Sequence, residues 1–140
     1  MKIVVSACLA GDNCKYDGGN NYSEKLAQFV SKNKAEVIKV CPEILGGLPV
    51  PRTPCEIVDG RVMNKLGKSA DKEFREGAEK ALEIVRREKP DFVILQSRSP
   101  SCGVNQIYDG SFSGKKIAGH GIFAGLVKAA GFNVIDIEDL

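Results

Sequence analysis

The sequence predicts an α/β fold: a single three-layer domain with a mostly parallel, Rossmann- or flavodoxin-like sheet and a small inserted hairpin. Three observations carry this expectation. Four β-rich runs alternate with three helical patterns, as right-handed βαβ units on a parallel sheet do. The run Phe92–Leu95 is apolar throughout, as strands buried on both faces are. The chain has 140 residues, room for one domain over 1–140, and no repeat or linker divides it.

The elements follow in order. Lys2–Ser6 reads as the first strand, running into a Cys-Leu-Ala-Gly-Asp loop. Ser23 suits the cap of a helix that carries Leu26, Ala27, Phe29 and Val30 on one face and stops near Asn33. Glu36–Val40 is the second strand. Cys41 to Pro54 holds Pro42, Gly46, Gly47, Pro49, Pro51 and Pro54, which predicts an irregular loop. Asp59-Gly60 inside Glu56–Met63 predicts a two-residue hairpin. A long helix is expected from Ser69 to Glu88, with Phe74, Ala78, Ala81, Leu82 and Val85 at helical spacing. Asp71/Arg75, Glu76/Lys80 and Glu83/Arg87 would pair on its wet face, and Pro90 stops it. After Phe92–Leu95, Gly103–Gly114 is polar and Gly-rich, with a tight turn expected at Tyr108-Asp109-Gly110. A last helix is expected over Gly119–Ala130 and a last strand over Asn133–Ile137.

Composition excludes several function classes. Twenty Lys+Arg against eighteen Asp+Glu leave +2, too little for a protein that coats a nucleic-acid polymer. No apolar run approaches the ~18–20 residues of a membrane span. The N-terminal apolar run is too short for a signal peptide, so a cytoplasmic, non-membrane protein is expected. Nothing in the sequence sets an oligomeric state. Five cysteines in a reducing compartment read as buried apolar residues, metal ligands or nucleophiles rather than disulfides.

Position separates these roles. Cys8 lies just past the first strand, Cys41 directly follows the second, and Cys102 lies in the loop leaving the third. On a parallel sheet those loops rise at one edge, where strands ~4.8 Å apart let three thiolates meet round one cofactor. Core packing is the ordinary fate of a free cysteine. Each of these sits instead in a polar, Gly/Pro-rich loop. There is no CxxC pair and His120 is the only histidine, so thiolates without imidazole favour an iron–sulfur cluster over zinc. Three cysteines would hold three irons of a [4Fe–4S] cluster and leave the fourth open as a Lewis acid. Cys14 completes the ligand set, lines the site or is structural, and Cys55 is taken as structural, away from any strand end.

The segments Ser6-Ala-Cys-Leu-Ala-Gly, Cys14-Lys-Tyr-Asp-Gly, Cys41-Pro-Glu-Ile-Leu-Gly-Gly-Leu-Pro-Val-Pro-Arg and Ser99-Pro-Ser-Cys-Gly resemble the domain-of-unknown-function family 523. So do Ile107-Tyr-Asp-Gly-Ser-Phe-Ser-Gly and Gly119-His-Gly-Ile-Phe-Ala. This family includes the bacterial thiouracil desulfurases, and the resemblance runs over essentially the whole chain. It implies an oxygen-sensitive [4Fe–4S] cluster on Cys8, Cys41 and Cys102, and non-redox removal of sulfur from a thiolated nucleobase. It places the carboxylate of the Cys-Pro-Glu motif on Glu43 and the catalytic serine on Ser99. Gln96 departs from the lysine that relatives often carry.

The chemistry is consistent with those residues. A thiocarbonyl sulfur is soft and prefers thiolate-bound iron to a hard cation. Binding there polarises the C–S bond, so that water attacks carbon, and Glu43 is placed to take the water's proton. Ser99 or Ser101 would bond substrate or cluster sulfur, or cap the following turn. Asp12, Tyr16 and Asp17 lie in the first loop, within reach of a base edge. His120 reads as a helix-end or surface residue. Two competing readings stand. A sensor or electron-transfer centre would use Cys14 as a fourth ligand. A thiolate phosphatase or arsenate reductase would need Arg six residues after Cys8, where Cys14 stands.

Overall fold

The computed structural model describes residues 1–140. In order, its elements are β1 (Lys2–Ser6), α1 (Glu24–Asn33), β2 (Glu36–Val40), α2 (Pro42–Leu45), β3 (Cys55–Val58), β4 (Arg61–Asn64), α3 (Asp71–Glu88), β5 (Phe92–Leu95), β6 (Gln106–Tyr108), β7 (Lys116–Ala118), α4 (Ile122–Ala129) and β8 (Val134–Asp136). The main sheet is parallel, in the order β2-β1-β5-β8. Val4 stands opposite Ile38 on one side and Val93 on the other. The three-layer α/β architecture is therefore as the sequence predicts.

Apolar periodicity builds both helical layers. Along α3, Ala78, Ala81, Leu82 and Val85 meet Val4, Val40, Val93 and Leu95 of the sheet, and α4 adds Phe123, Ala124 and Val127. On the opposite face α1 lays Leu26, Phe29 and Val30 against Ile3, Val5 and Ile94. Ser23 caps α1 as expected, its Oγ accepting the Leu26 N–H at 3.1 Å. The β3–β4 hairpin turns at Asp59 and Gly60, both with positive φ, and lies on α3 through Val62 and Phe74.

Four local expectations need correction. The stretch expected to be irregular after Cys41 contains α2, one turn long, because Pro42 presets φ at the first helical position. That turn docks on α3 through two glycines. A Cβ on Gly46 would collide with the Glu73 carbonyl, and one on Gly77 with the Pro42 carbonyl. Gly77 thus weakens the middle of α3 so that α2 can lie against it. Second, the polar stretch after Cys102 is not only a turn: β6 and β7 form a second hairpin, too short and polar to show a period. Third, α3 starts at Asp71 and α4 at Ile122, each a little later than expected. Fourth, of the three expected ion pairs on α3 only Asp71–Arg75 forms, at 2.8 Å; Lys80 reaches the Leu45 carbonyl at the end of α2 instead.

The chain leaves β1 toward β2 through α1 on one face and reaches β5 through α3 on the other. The switch point between β1 and β5 opens a crevice at the carboxyl ends of the strands, the usual ligand position in such sheets.

Candidate active site

Each of the three strand-end loops is pinned before it presents a cysteine. The last β1 residue, Ser6, is buried and accepts the Gln96 N–H on its Oγ at 2.9 Å, which closes the β1–β5 seam at the switch point. A 3-10 turn, Ala7–Ala10, then buries Cys8, and Asn21 donates its N–H to the Cys8 carbonyl at 3.0 Å. Cys41 occupies the cap position of α2 and is half-buried. Cys102 is buried in the turn after β5, where the Ser99 Oγ accepts the Cys102 N–H at 2.7 Å and the Ser101 N–H at 3.1 Å. The carbonyls of Pro100, Ser101 and Gly103 in turn accept the N–H groups of Ile122, Ala124 and Gly121 at 2.8–3.1 Å. The start of α4, which has no side-chain cap, is thereby satisfied by the loop that carries Cys102.

Cys8, Cys41 and Cys102 line one cleft of about 590 Å³, as does Cys14. Burial pushes the Cys8 thiol up to about 11, with the neighbouring Cys41 adding to the rise. Burial pushes Cys102 up as well, with Cys8 contributing. Burial, the charge of Cys41 and a hydrogen bond with it carry Cys14 up to about 12. These are thiols that sense one another in a low dielectric, and they become good ligands only where a cationic centre compensates the loss of their protons.

Glu43, two residues beyond Cys41, faces the same cleft. Its Oε1 accepts from the Arg52 guanidinium, Nε at 3.0 Å and Nη2 at 2.9 Å. Its Oε2 accepts from the Ser101 Oγ at 2.8 Å, and Ser101 stands 3.0 Å from the Ser99 Oγ. An ionised carboxylate only accepts, so the Ser101 proton points to Glu43 and the Ser99 hydroxyl donates to Ser101. Arg52 is nearly buried, 7% exposed, and its remaining donors go to the carbonyls of Cys14 at 2.8 Å and Pro49 at 3.2 Å.

The structure brings Glu43, Ser99 and the three cysteines to one cleft. Ser99 caps the turn that follows it, one of the roles weighed for it, and its other contact is the Ser101 Oγ. Sequence reasoning missed Arg52, whose ties to Glu43 and Cys14 span 9 and 38 residues; the one available signal was its place at the end of the Cys41-to-Arg52 motif. Cys55 is not remote from the site. It opens β3 on the cleft wall, where burial and the nearby Glu43 push its thiol up to about 11. Tyr16 and Gln96 line the cleft. Asp12 is instead paired with Lys39 at 2.9 Å, and Asp17 holds the Gly19 N–H within its own turn. His120 lies just before α4, with Nδ1 3.2 Å from the Gly121 carbonyl.

The cleft offers thiols without imidazole, the donor type that an iron–sulfur cluster takes. No three Cys, His, Asp or Glu side chains close round one point as the ligands of one ion do. A [4Fe–4S] cluster takes one thiolate at each ligated iron. Cys8, Cys41 and Cys102, with Cys14 and Cys55 on the same cleft, are the thiols that could hold it.

Comparison with known proteins points the same way. The model of the family described as 2-thiouracil desulfurase matches residues 3–139. The protein YbbK of Bacillus subtilis (strain 168), described as uncharacterized, is 40% identical over 148 residues, covering 99% of this chain and 97% of its own. A solved structure of a [4Fe–4S]-dependent thiouracil desulfidase, TudS, superposes with a TM-score of 0.90 at 38% identity, over 99% of this chain and 92% of that one.

Proposed function

The chain belongs to the 2-thiouracil desulfurase family, and from that premise we propose how its residues divide the work of removing sulfur from a thiolated pyrimidine. The activity is iron–sulfur-dependent desulfuration of thiouracil and the cofactor is a [4Fe–4S] cluster. In our reading Cys8, Cys41 and Cys102 hold three of its irons. When bound, the cluster supplies a soft, sulfur-seeking Lewis acid at the iron that no cysteine occupies.

The protein's own groups then handle the water. Glu43 is the general base. Arg52 occupies Oε1, so the proton of the attacking water goes to Oε2, the oxygen that accepts from Ser101. Once Oε2 is protonated it donates to the Ser101 Oγ, and the direction of the Glu43–Ser101–Ser99 chain can reverse. Ser99 acts at the far end of that chain and, through its two backbone contacts, holds Cys102 in place. The net reaction is hydrolytic: water and the thiolated base give the oxo base and sulfide, with no change of oxidation state.

The observation that supports this reading is the meeting of three strand-end thiols with an Arg-held carboxylate and a serine chain in one cleft. The test is Glu43→Gln in anaerobically reconstituted protein, with uracil release from 2-thiouracil followed by chromatography. Glu43→Gln is expected to keep its iron while turnover falls ~10²–10⁴-fold, the usual contribution of a positioned acid–base group. Normal turnover by an iron-replete variant would remove Glu43 from the mechanism, and joint loss of iron and activity would make it structural.

A further inference from the structure

Phe112 is the one phenylalanine that the cores do not use. Of the six in the chain, Phe29 and Phe92 pack with α1, Phe74 under the first hairpin, and Phe123 and Phe132 against the α3 face. Phe112 belongs to none of these cores and lines the cleft. Its backbone is strained as well. Five non-glycine residues have positive φ. Lys34 and Lys89 end helices and Asp59 sits in a hairpin turn, where such angles are ordinary. The other two, Arg98 and Phe112, both stand on the cleft wall, with φ of 64° and 55°. A bulky side chain in this region is an outlier that the surroundings must enforce, and such outliers gather at ligand sites.

The enforcement is visible. Glu56 of β3 has no cation among its partners; its Oε1 accepts the N–H of Gly110 at 3.0 Å and of Phe112 at 3.1 Å. Gly110 lies so close to β3 that a Cβ there would stand 2.6 Å from the Ile57 carbonyl. Within the loop, Asp109 Oδ1 holds the Ser111 N–H at 2.9 Å. A carboxylate, a close glycine approach and an Asp turn together fix the backbone that carries an aromatic residue absent from every core.

We propose that Phe112 is the wall on which the planar thiolated pyrimidine stacks, and that Glu56 is the positioning residue that holds it there. This rests on the desulfurase reading above and names the contact that recognises the flat heteroaromatic ring, as distinct from its sulfur.

The test uses reconstituted holoenzyme and two probes: 2-thiouracil for steady-state kinetics and uracil for equilibrium binding by calorimetry. Phe112→Asn removes the ring yet tolerates the left-handed backbone. It is expected to raise KM, and the Kd for uracil, about 5- to 150-fold, the range reported by base–aromatic stacking, with a much smaller effect on kcat. Phe112→Tyr, which keeps the ring, should restore both. Glu56→Ala should raise KM in the same sense, and Glu56→Gln, which keeps an acceptor oxygen, should raise it less. Unchanged KM and uracil Kd in Phe112→Asn would overturn the proposal, as would equal loss in the Asn and Tyr variants. Failure of iron-replete wild type to release uracil from 2-thiouracil would count against the desulfurase reading instead, and the uracil Kd comparison would still decide on the wall.

Discussion

On the face of the sheet covered by α3 and α4, Val4, Val93 and Leu95 meet Ala78, Ala81, Val85, Phe123 and Val127, all of them buried and apolar. A few residues further along the same strands the materials change. The four buried polar residues of the chain are Ser6, Ser97, Ser101 and Asp136, and every one stands at or just beyond the carboxyl end of β1, β5 or β8. Each has a named partner: Ser6 the Gln96 N–H, Ser97 the Asp136 carboxylate at 2.5 Å, Ser101 the Glu43 carboxylate. No buried side-chain nitrogen or oxygen is left without one. The face is held by shape, which is non-directional and tolerant of small shifts. The edge is held by directed bonds, which place atoms. Substitutions on the face should therefore cost stability, and substitutions at the edge should cost chemistry.

The largest expected effect is on the face. Phe123→Ala should destabilise the protein by about 3–5 kcal/mol, as deletion of a fully buried aromatic does. Denaturant titration of the cluster-free chain measures it. Turnover per iron-loaded molecule should stay close to wild type, and a collapse of kcat without loss of iron would break the contrast. Arg52→Lys tests the edge. The charge stays, but the fork that serves Glu43 and the Cys14 carbonyl together is lost. A carboxylate displaced by ~1 Å costs about a hundredfold in kcat, with iron content and KM nearly kept. If stability alone falls, Arg52 is only a loop tie.

Ser99→Ala removes the acceptor of two backbone N–H groups, a loss of about 0.5–2 kcal/mol by analogy with helix caps. Its kcat should fall further than that loss explains, because the chain to Glu43 is cut. The smallest effect belongs to a pair at the rim. Arg98 donates to both oxygens of Glu138 at 2.7–2.8 Å, and those bonds hold the Glu138 carboxyl below its usual range. A depressed folded-state value means stability that is present above the unfolded-state value and lost as pH falls through the folded one. The difference between wild type and Arg98→Ala in denaturant midpoint should accordingly shrink to nothing in acid. A difference that persists there would mean that Arg98 acts through packing.

The same contrast explains what was legible in the sequence. β1, β2 and β5 have the predicted bounds because each is built on β-branched or other large apolar residues, and the layers on both faces follow from periodicity. At the edge, residue type marked Cys8, Cys41 and Cys102 after three strands and Glu43 beside one of them, and the family resemblance marked Ser99; all five line the cleft. Arg52, Glu56 and Phe112 were not assigned roles because the contacts that place them, Arg52 with Glu43 and Cys14 and Glu56 with Phe112, span 9 to 56 residues and no local pattern marks them. The helix α2 escaped because four residues that begin with a proline carry no helical period, and its support, Gly77, looks from sequence like a flaw in α3.

The central claim is that three strand-end thiols, and only those three, hold the cluster. Iron and acid-labile sulfide per chain, measured on Cys→Ala variants at positions 8, 14, 41, 55 and 102 after anaerobic reconstitution, test it most directly. Cys8→Ala, Cys41→Ala and Cys102→Ala should each fail to retain a full cluster, while Cys14→Ala and Cys55→Ala retain about four irons and the visible spectrum of wild type. Full loading in any of the first three, or loss of iron in Cys14→Ala or Cys55→Ala, would contradict the assignment.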